Sequence, residues 1–186
     1  MAHVATSGKI TADEFLEWEE KQPDKHEFIR GEIFAMVGVT RQHATVAGNV
    51  FAVLMQHLRG TRCRAYMADM KLRLEASDAF FYPDVFVTCS EVDHQAELYM
   101  TEPRVIIEVL SDSTEAYDRG DKFEHYRRFA SLAEYVVISP VKRKVELFRL
   151  DASGHWVLHE YHRSEPVELA SLELTIDSSA LYENVA

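Results

Sequence analysis

Residues 104–110 read RVIIEVL. Five aliphatic residues in so short a run predict a strand buried on both faces of a sheet, the pattern of a central strand. Glu108 interrupts that run. A lone carboxylate in such a strand is costly unless it is paired, hydrogen-bonded, neutralised or bound to a metal. Upstream, Pro83-Asp84 leads into Val85-Phe86-Val87, a second apolar strand that also carries one acid. If the two strands are neighbours, Asp84 and Glu108 face one another across a gap that fits a hydrated cation. Hard oxygen ligands suit Mg²⁺ or Mn²⁺ rather than Zn²⁺, and the carbonyl of Val109 is a candidate third ligand. Such an ion lowers the pKa of a bound water and polarises a phosphodiester oxygen. The plainer reading makes each acid a strand-end residue, part of a Pro-Asp turn, or the partner of a core Arg or Lys.

Outward from that strand, the pattern is one of alternating helices and strands. Thr11 with Glu14 forms a capping box, and Phe15, Leu16 and Trp18 give the helix it opens an apolar side that ends by Pro23. The segment HEFIRGEIFAMVG, 26–38, reads as a hairpin around Arg30-Gly31. Val46, Val50, Val53, Leu54 and Leu58 recur at helical spacing over 43–58. Strands are expected at 63–67, 70–75 and 80–88, then a polar loop or short helix at 89–103. A helix over 118–129 precedes strands at 134–139, 144–150 and 156–161, and the tail from 172 closes the domain. The expected class is α/β, with a mixed sheet flanked by the helices at 43–58 and 118–129.

The chain has 186 residues, a length that fits a single domain spanning 1–186. Twenty Lys and Arg stand against 31 Asp and Glu, a net charge of −11. That balance lacks the basic surplus a nucleic-acid-binding domain usually carries. Cys63 and Cys89 form no CxxC unit and read as reduced, buried thiols. With no apolar leader at residues 1–8 and no long uncharged apolar run, the expected location is the cytoplasm, with no membrane partner. No Gly-rich phosphate loop and no GxSxG occurs. His155 and His159 share a strand face but stand about 13 Å apart, too far to ligate one zinc. Lys142-Arg143-Lys144 reads as a basic hairpin turn that is solvated or touches a nucleic-acid backbone. Arg127 and Arg128 form a second basic cluster, beside Lys122.

In order along the chain stand HEFIRGEI, RQH before a helix, YPDV, IIEVLSDST, YDRGDKFEHYRR and LAEYVVIS. That set resembles the Uma-two family of restriction-endonuclease-like domains, within the PD-(D/E)XK nuclease superfamily, over about residues 10–165. The resemblance implies a restriction-endonuclease-like core: a mixed central β-sheet flanked by helices, with an N-terminal helix and β-hairpin. It makes Asp84 and Glu108 the metal-binding acids. The superfamily's usual lysine would lie two places after Glu108, on the same strand face, but Leu110 stands there. The family pattern implies that the lysine has moved to Lys122 on the next helix, with Tyr126 on the same helix face. Glu27 matches the acid of the N-terminal hairpin, for a second metal or to orient water. Each has a plainer reading: Asp118–Lys122 as a surface salt bridge, Tyr126 as core packing, Glu27 as an exposed hairpin acid, His43 as a helix-start residue rather than a contact to phosphate or metal.

The expected function is a metal-dependent DNA endonuclease that hydrolyses phosphodiester bonds with metal-activated water. Its cofactor would be Mg²⁺ or Mn²⁺, its substrate DNA and its assembly a homodimer. The alternative is an inactive nuclease fold serving as a dimeric scaffold or binding module. The two differ in whether Lys122 points toward Asp84 and Glu108. A two-carboxylate sugar hydrolase fits less well, since no aromatic-rich sugar cleft is evident.

Overall fold

The run at 104–110 lies at the centre of a six-stranded sheet in the computed structural model, which describes residues 2–4, 8–36, 38–111 and 114–185. In chain order the strands are β1 (Ala2–Val4), β2 (His26–Ile29), β3 (Glu32–Ala35), β4 (Arg64–Met67), β5 (Lys71–Leu74), β6 (Ala79–Phe81) and β7 (Val85–Thr88). They continue with β8 (Tyr99–Met100), β9 (Pro103–Val109), β10 (Glu134–Ser139), β11 (Lys144–Leu150), β12 (Trp156–His162), β13 (Val167–Leu169) and β14 (Leu174–Ile176). The α-helices are α1 (Ala12–Glu19), α2 (Arg41–His57), α3 (Glu91–His94), α4 (Glu115–Arg119), α5 (Asp121–Tyr126) and α6 (Ser178–Leu181).

The central sheet runs β12-β11-β10-β9-β7-β4. It is mixed, because β9 and β10 pair in parallel while β7 pairs with β9 antiparallel. A second six-stranded sheet, β1-β3-β2-β6-β5-β8, packs beside it, and β13 and β14 form a separate hairpin. Alternation along β9 divides its residues between two apolar layers. Val105, Ile107 and Val109 join Val46, Val50 and Leu54 of α2. Ile106 and Leu110 join Leu72, Phe81, Tyr126 and Tyr135 on the opposite face. Both faces of β9 are thus covered, as an unbroken aliphatic run requires. Glu108 shares the side of Ile106 and Leu110, facing α5.

Two N-terminal signals hold in detail. Thr11 Oγ1 accepts the Glu14 N–H at 3.2 Å and Glu14 Oε2 accepts the Thr11 N–H at 2.7 Å, completing the capping box. Phe15 then stacks on Phe28 and Phe80, which fixes α1 against the second sheet. Arg30 and Gly31 form a two-residue loop with positive φ at both positions, between paired Ile29 and Glu32. Such a loop matches the twist of its strands. A Cβ at Gly31 would lie 2.8 Å from Cβ of Lys9, so this turn requires glycine.

The structure corrects three expectations and agrees with a fourth. The expected strand at 80–88 is two strands in different sheets, β6 and β7, because Pro83 has no N–H for a ladder and the chain changes sheet there. Asp84 therefore sits where the two sheets meet. The expected helix at 118–129 is two short ones, α4 and α5, parted at Gly120, whose φ of −112° and ψ of −99° are not helical. Helix α1 ends at Glu19, before Pro23. Finally, Cys63 and Cys89 are not free thiols but form a disulfide. The β4–β7 register pairs Arg64 with Thr88, so one step further out it sets the two cysteines opposite each other.

Candidate active site

The β7–β9 register pairs Val85 with Ile107 and Phe86 with Ile106. One step further, at the open end of that ladder, Asp84 stands opposite Glu108. The two acids interlock. The Asp84 N–H donates to Glu108 Oε2 at 3.4 Å, and the Val109 N–H donates to Asp84 Oδ2 at 2.7 Å. The N-terminal turn of α2 brings in His43, whose backbone N–H is capped by Thr40 and whose Nε2 lies 3.1 Å from Asp84 Oδ2. His43 Nδ1 is buried without a partner among the described residues.

From the other side of the sheet, α5 supplies Lys122 and Tyr126. Lys122 Nζ lies 2.9 Å from Glu108 Oε1, 3.3 Å from Glu27 Oε1 and 3.7 Å from Asp118 Oδ1. The Tyr126 hydroxyl donates to the same Glu108 Oε1 at 2.8 Å. Leu110, in the place of the usual lysine, is buried in the apolar layer with Tyr126 and Phe129. The lysine and the tyrosine thus share one helix face and one acceptor. Glu27 comes from β2, held by the tight Arg30-Gly31 loop. It is only 1% exposed, and its Oε1 accepts the Tyr82 N–H at 3.4 Å while its Oε2 has no partner among the described residues.

Glu27, His43, Tyr82, Asp84, Glu108, Asp118 and Lys122 line one cavity of about 60 Å³ together with Val109, Ser111, Thr114 and Tyr117, and Tyr126 reaches Glu108 from outside that lining. At about 15 Å³ per water, that is room for an ion and a few waters. Glu27, Glu108 and Asp118 face the ammonium of Lys122 there and Asp84 lines the same cavity, four carboxylates against one lysine, a formal excess of three negative charges. Burial pushes the carboxyls of Glu27, Glu108 and Asp118 above their usual range, and Lys122 only partly offsets it. For Glu108 the rise is large, since Asp84 and Asp118 add to it. Burial works against the charge of Lys122, but Glu108 and Glu27 outweigh that and hold its pKa well above the usual lysine value. Tyr126 is likewise raised, by burial and then by Glu108.

Surplus carboxylate oxygens, one of them buried and unpartnered, are a donor set that fits a hard divalent cation such as Mg²⁺ or Mn²⁺. Among the described residues, no three such side chains converge as a preformed cage; Lys122 bridges Glu27, Glu108 and Asp118.

Two plainer sequence readings fail here. Glu27 is not an exposed hairpin acid, and Asp118–Lys122 is not a surface pair, because both partners are buried. Arg127 and Arg128, the basic cluster that follows Lys122 in sequence, do not line this cavity, and Arg128 pairs with Glu124 on an exposed surface. Sequence reading also missed a supporting layer. The Tyr82 hydroxyl donates to Glu19 Oε1 at 3.1 Å, and Glu19 also accepts the His26 N–H at 2.9 Å and meets its Nδ1 at 3.0 Å. The signal was present, since Glu19 lies one turn after Phe15 on the helix face that must be inward.

Comparison with known proteins then places the chain. The Uma2 family, described as "Putative restriction endonuclease", matches residues 12–180. The chain belongs to the Uma2 family. Two proteins of Synechocystis sp. (strain ATCC 27184 / PCC 6803 / Kazusa) are similar to it. Uncharacterized protein slr1290 is 34% identical over 178 residues, covering 96% of this chain and 94% of that protein. Uncharacterized protein sll1609 is 33% identical over 162 residues, covering 86% and 92%. The crystal structure of a "putative nuclease belonging to DUF820" from Anabaena variabilis ATCC 29413 superposes with a TM-score of 0.77. It is 18% identical and covers 95% of this chain and 99% of that one. The Uma2 chain therefore shares the fold of that structure, and its family is one of nuclease type. None of the described helices is long and apolar enough to cross a membrane.

Proposed function

We propose that this Uma2 chain is a metal-dependent endonuclease that hydrolyses phosphodiester bonds in DNA. The observation that carries the reading is the meeting of Asp84 and Glu108 at one strand end, with Lys122 and Tyr126 both on Glu108. Asp84, Glu108 and the carbonyl of Val109 are the proposed ligands of Mg²⁺ or Mn²⁺, with the free Oε2 of Glu27 available to a second ion or to a water. When bound, the ion supplies an acidified water and polarises a phosphoryl oxygen.

The chain's own groups have separable tasks. Lys122 carries positive charge into a water-poor cavity, where it stabilises negative charge growing on a phosphate more strongly than bulk water would. Tyr126 holds one oxygen of Glu108 and leaves the other for the ion. His43 and the Val109 N–H hold Asp84 in the same way. The surplus of acids keeps the site short of positive charge until an ion arrives. Lys122 points into this cavity, which supports a catalytic role over that of an inactive scaffold. A homodimer would present two such sites to the two strands of a duplex.

Incubation of the purified protein with supercoiled plasmid and Mn²⁺ or Mg²⁺, beside Asp84→Ala and Glu108→Ala, tests the proposal. Wild type is expected to nick or linearise the plasmid, and each variant to lose on the order of a thousandfold in rate. Equal cleavage by all three proteins would remove the acids from the mechanism.

A further inference from the structure

A second cavity, of about 700 Å³, opens where three segments meet: the β10–β11 turn, the β12–β13 connection and the start of α6. Its lining includes Lys142, Arg143 and Arg163, the hydroxyls of Ser164, Ser178 and Ser179, and one acid, Asp177. Three cations against one carboxylate is a local surplus of two positive charges in a chain whose net charge is −11. Gathering like charges is unfavourable by itself, and an anion relieves it.

The gathering is built into the backbone. Arg143 and Arg163 both take positive φ, 46° and 39°, a region that side chains with a Cβ rarely adopt. The Arg163 N–H donates to the Arg143 carbonyl at 2.9 Å, so the two strained turns are tied together. Ser178 Oγ donates to the Arg163 carbonyl. Arg143 is held over the Tyr182 ring and donates to the Val185 carbonyl at 3.0 Å. Strained turns that the surroundings over-determine are characteristic of binding sites.

The basic cavity also sits beside the acidic one. Lys142 Nζ reaches Glu115 on α4 at 2.9 Å, and the neighbouring Thr114, Tyr117 and Asp118 line the acid cavity. Helix α4 thus carries Glu115 beside Lys142 of one cavity and Asp118 in the lining of the other, and a helix is about 10 Å across. At about 3.4 Å per nucleotide step, that is on the order of three steps along a strand. The Lys142–Glu115 pair is solvent-exposed and so too weak to hold Lys142 against a phosphate.

We propose that Lys142, Arg143 and Arg163 form a phosphate-backbone subsite that grips the DNA strand a few nucleotides from the scissile bond. This rests on the nuclease reading above and gives it the positive surface that the composition conceals. The contact is to phosphates, so it adds affinity and register without sequence preference.

Fluorescence anisotropy of a labelled DNA duplex, titrated in EDTA at several salt concentrations, tests this without cleavage. The proteins are wild type, Lys142→Ala/Arg163→Ala, and Lys21→Ala as an exposed control outside the cavity. Arg143 is left in place because it packs on Tyr182, and unchanged melting temperatures confirm folding. The double variant is expected to bind several-fold more weakly on any sequence, with its log Kd against log salt slope reduced by about two. Lys21→Ala is expected to match wild type. Wild-type binding with an unchanged slope in the double variant would overturn the subsite alone. No binding by wild type would overturn the subsite, while the nuclease reading is decided separately by plasmid cleavage with Mn²⁺ or Mg²⁺. Calorimetric titration with inorganic phosphate separates the sources. A saturable phosphate heat that the double variant lacks would make this a site for free phosphate and overturn the nucleic-acid assignment.

Discussion

Glu108 and Glu134 are buried acids on neighbouring strands of one sheet, in opposite circumstances. Glu134, at the start of β10, is wholly buried and fully satisfied. Its Oε1 accepts from Arg149 Nε at 2.8 Å and the Ala170 N–H at 3.1 Å. Its Oε2 accepts from the Ser171 N–H at 3.1 Å and the Ser171 hydroxyl at 2.5 Å. One cation answers one anion, and backbone donors complete the shell. At Glu108 three carboxylates compete for one lysine, Asp84 stands beside them, and a nearby oxygen of Glu27 has no partner among the described residues. Burial alone therefore does not separate a functional acid from a structural one. On the proposed function, under-compensation does. In that proposal a site that stays short of positive charge is held in readiness for a cation, while a site that closes its own circuit pins the C-terminal hairpin to the sheet.

The comparison breaks first at Glu134. Removing one partner of a buried, hydrogen-bonded pair strands the other, so Glu134→Ala is expected to lose about 3–5 kcal/mol in urea denaturation. The rate of plasmid cleavage per folded molecule should be unchanged. A loss of cleavage with stability intact would merge the two classes of acid.

The next effect is coupled to metal and pH. The raised carboxyls of Glu27, Glu108 and Asp118 mean that the folded chain binds more protons than the unfolded one once pH exceeds their ordinary values near 4. Stability then falls as pH rises through that window toward the folded-state pKa values. A divalent ion should offset the loss. Saturating Mn²⁺ at about a hundred times its Kd is expected to stabilise the fold by about 2.7 kcal/mol at neutral pH. The gain should vanish at pH values acid enough to protonate the cluster. A melting temperature shift that does not depend on pH would argue against the acids as the binding groups.

The smallest effect has an unusual sign. Glu108→Gln removes one surplus charge and keeps the shape, so it is expected to raise stability by about 1 kcal/mol in EDTA. Glu134→Gln should lower it. Destabilisation by both would show that Glu108, too, is a structural acid.

The core of this distinction was legible in the sequence, but only in part. RVIIEVL announced a central strand with a misplaced acid, and Pro83-Asp84 announced its partner, because strand patterns are local and a charge among aliphatic residues stands out. Glu134 heads EYVVIS in the same way, and nothing in the order of residues says that Arg149 and Ser171 will close around it. Those partners lie on other elements. The division of 80–88 between two sheets escaped for the same reason, since both halves are apolar and only tertiary pairing assigns them. The Cys63–Cys89 bridge follows from the β4–β7 register, which residue order alone does not specify. The burial of Glu27 and Asp118 depends on the break at Gly120 and on the docking of the N-terminal hairpin. Lys122 entered through family resemblance, and its distances to Glu108 and Glu27 now give it a physical basis.

The central claim is that the under-compensated acids, and not the compensated one, hold a divalent ion. Calorimetric titration of Mn²⁺ into wild type, Asp84→Ala, Glu108→Ala and Glu134→Gln measures this directly. Saturable binding by wild type and Glu134→Gln, abolished in the other two, is the predicted result. Absence of binding by wild type, or equal binding by all four proteins, would contradict it.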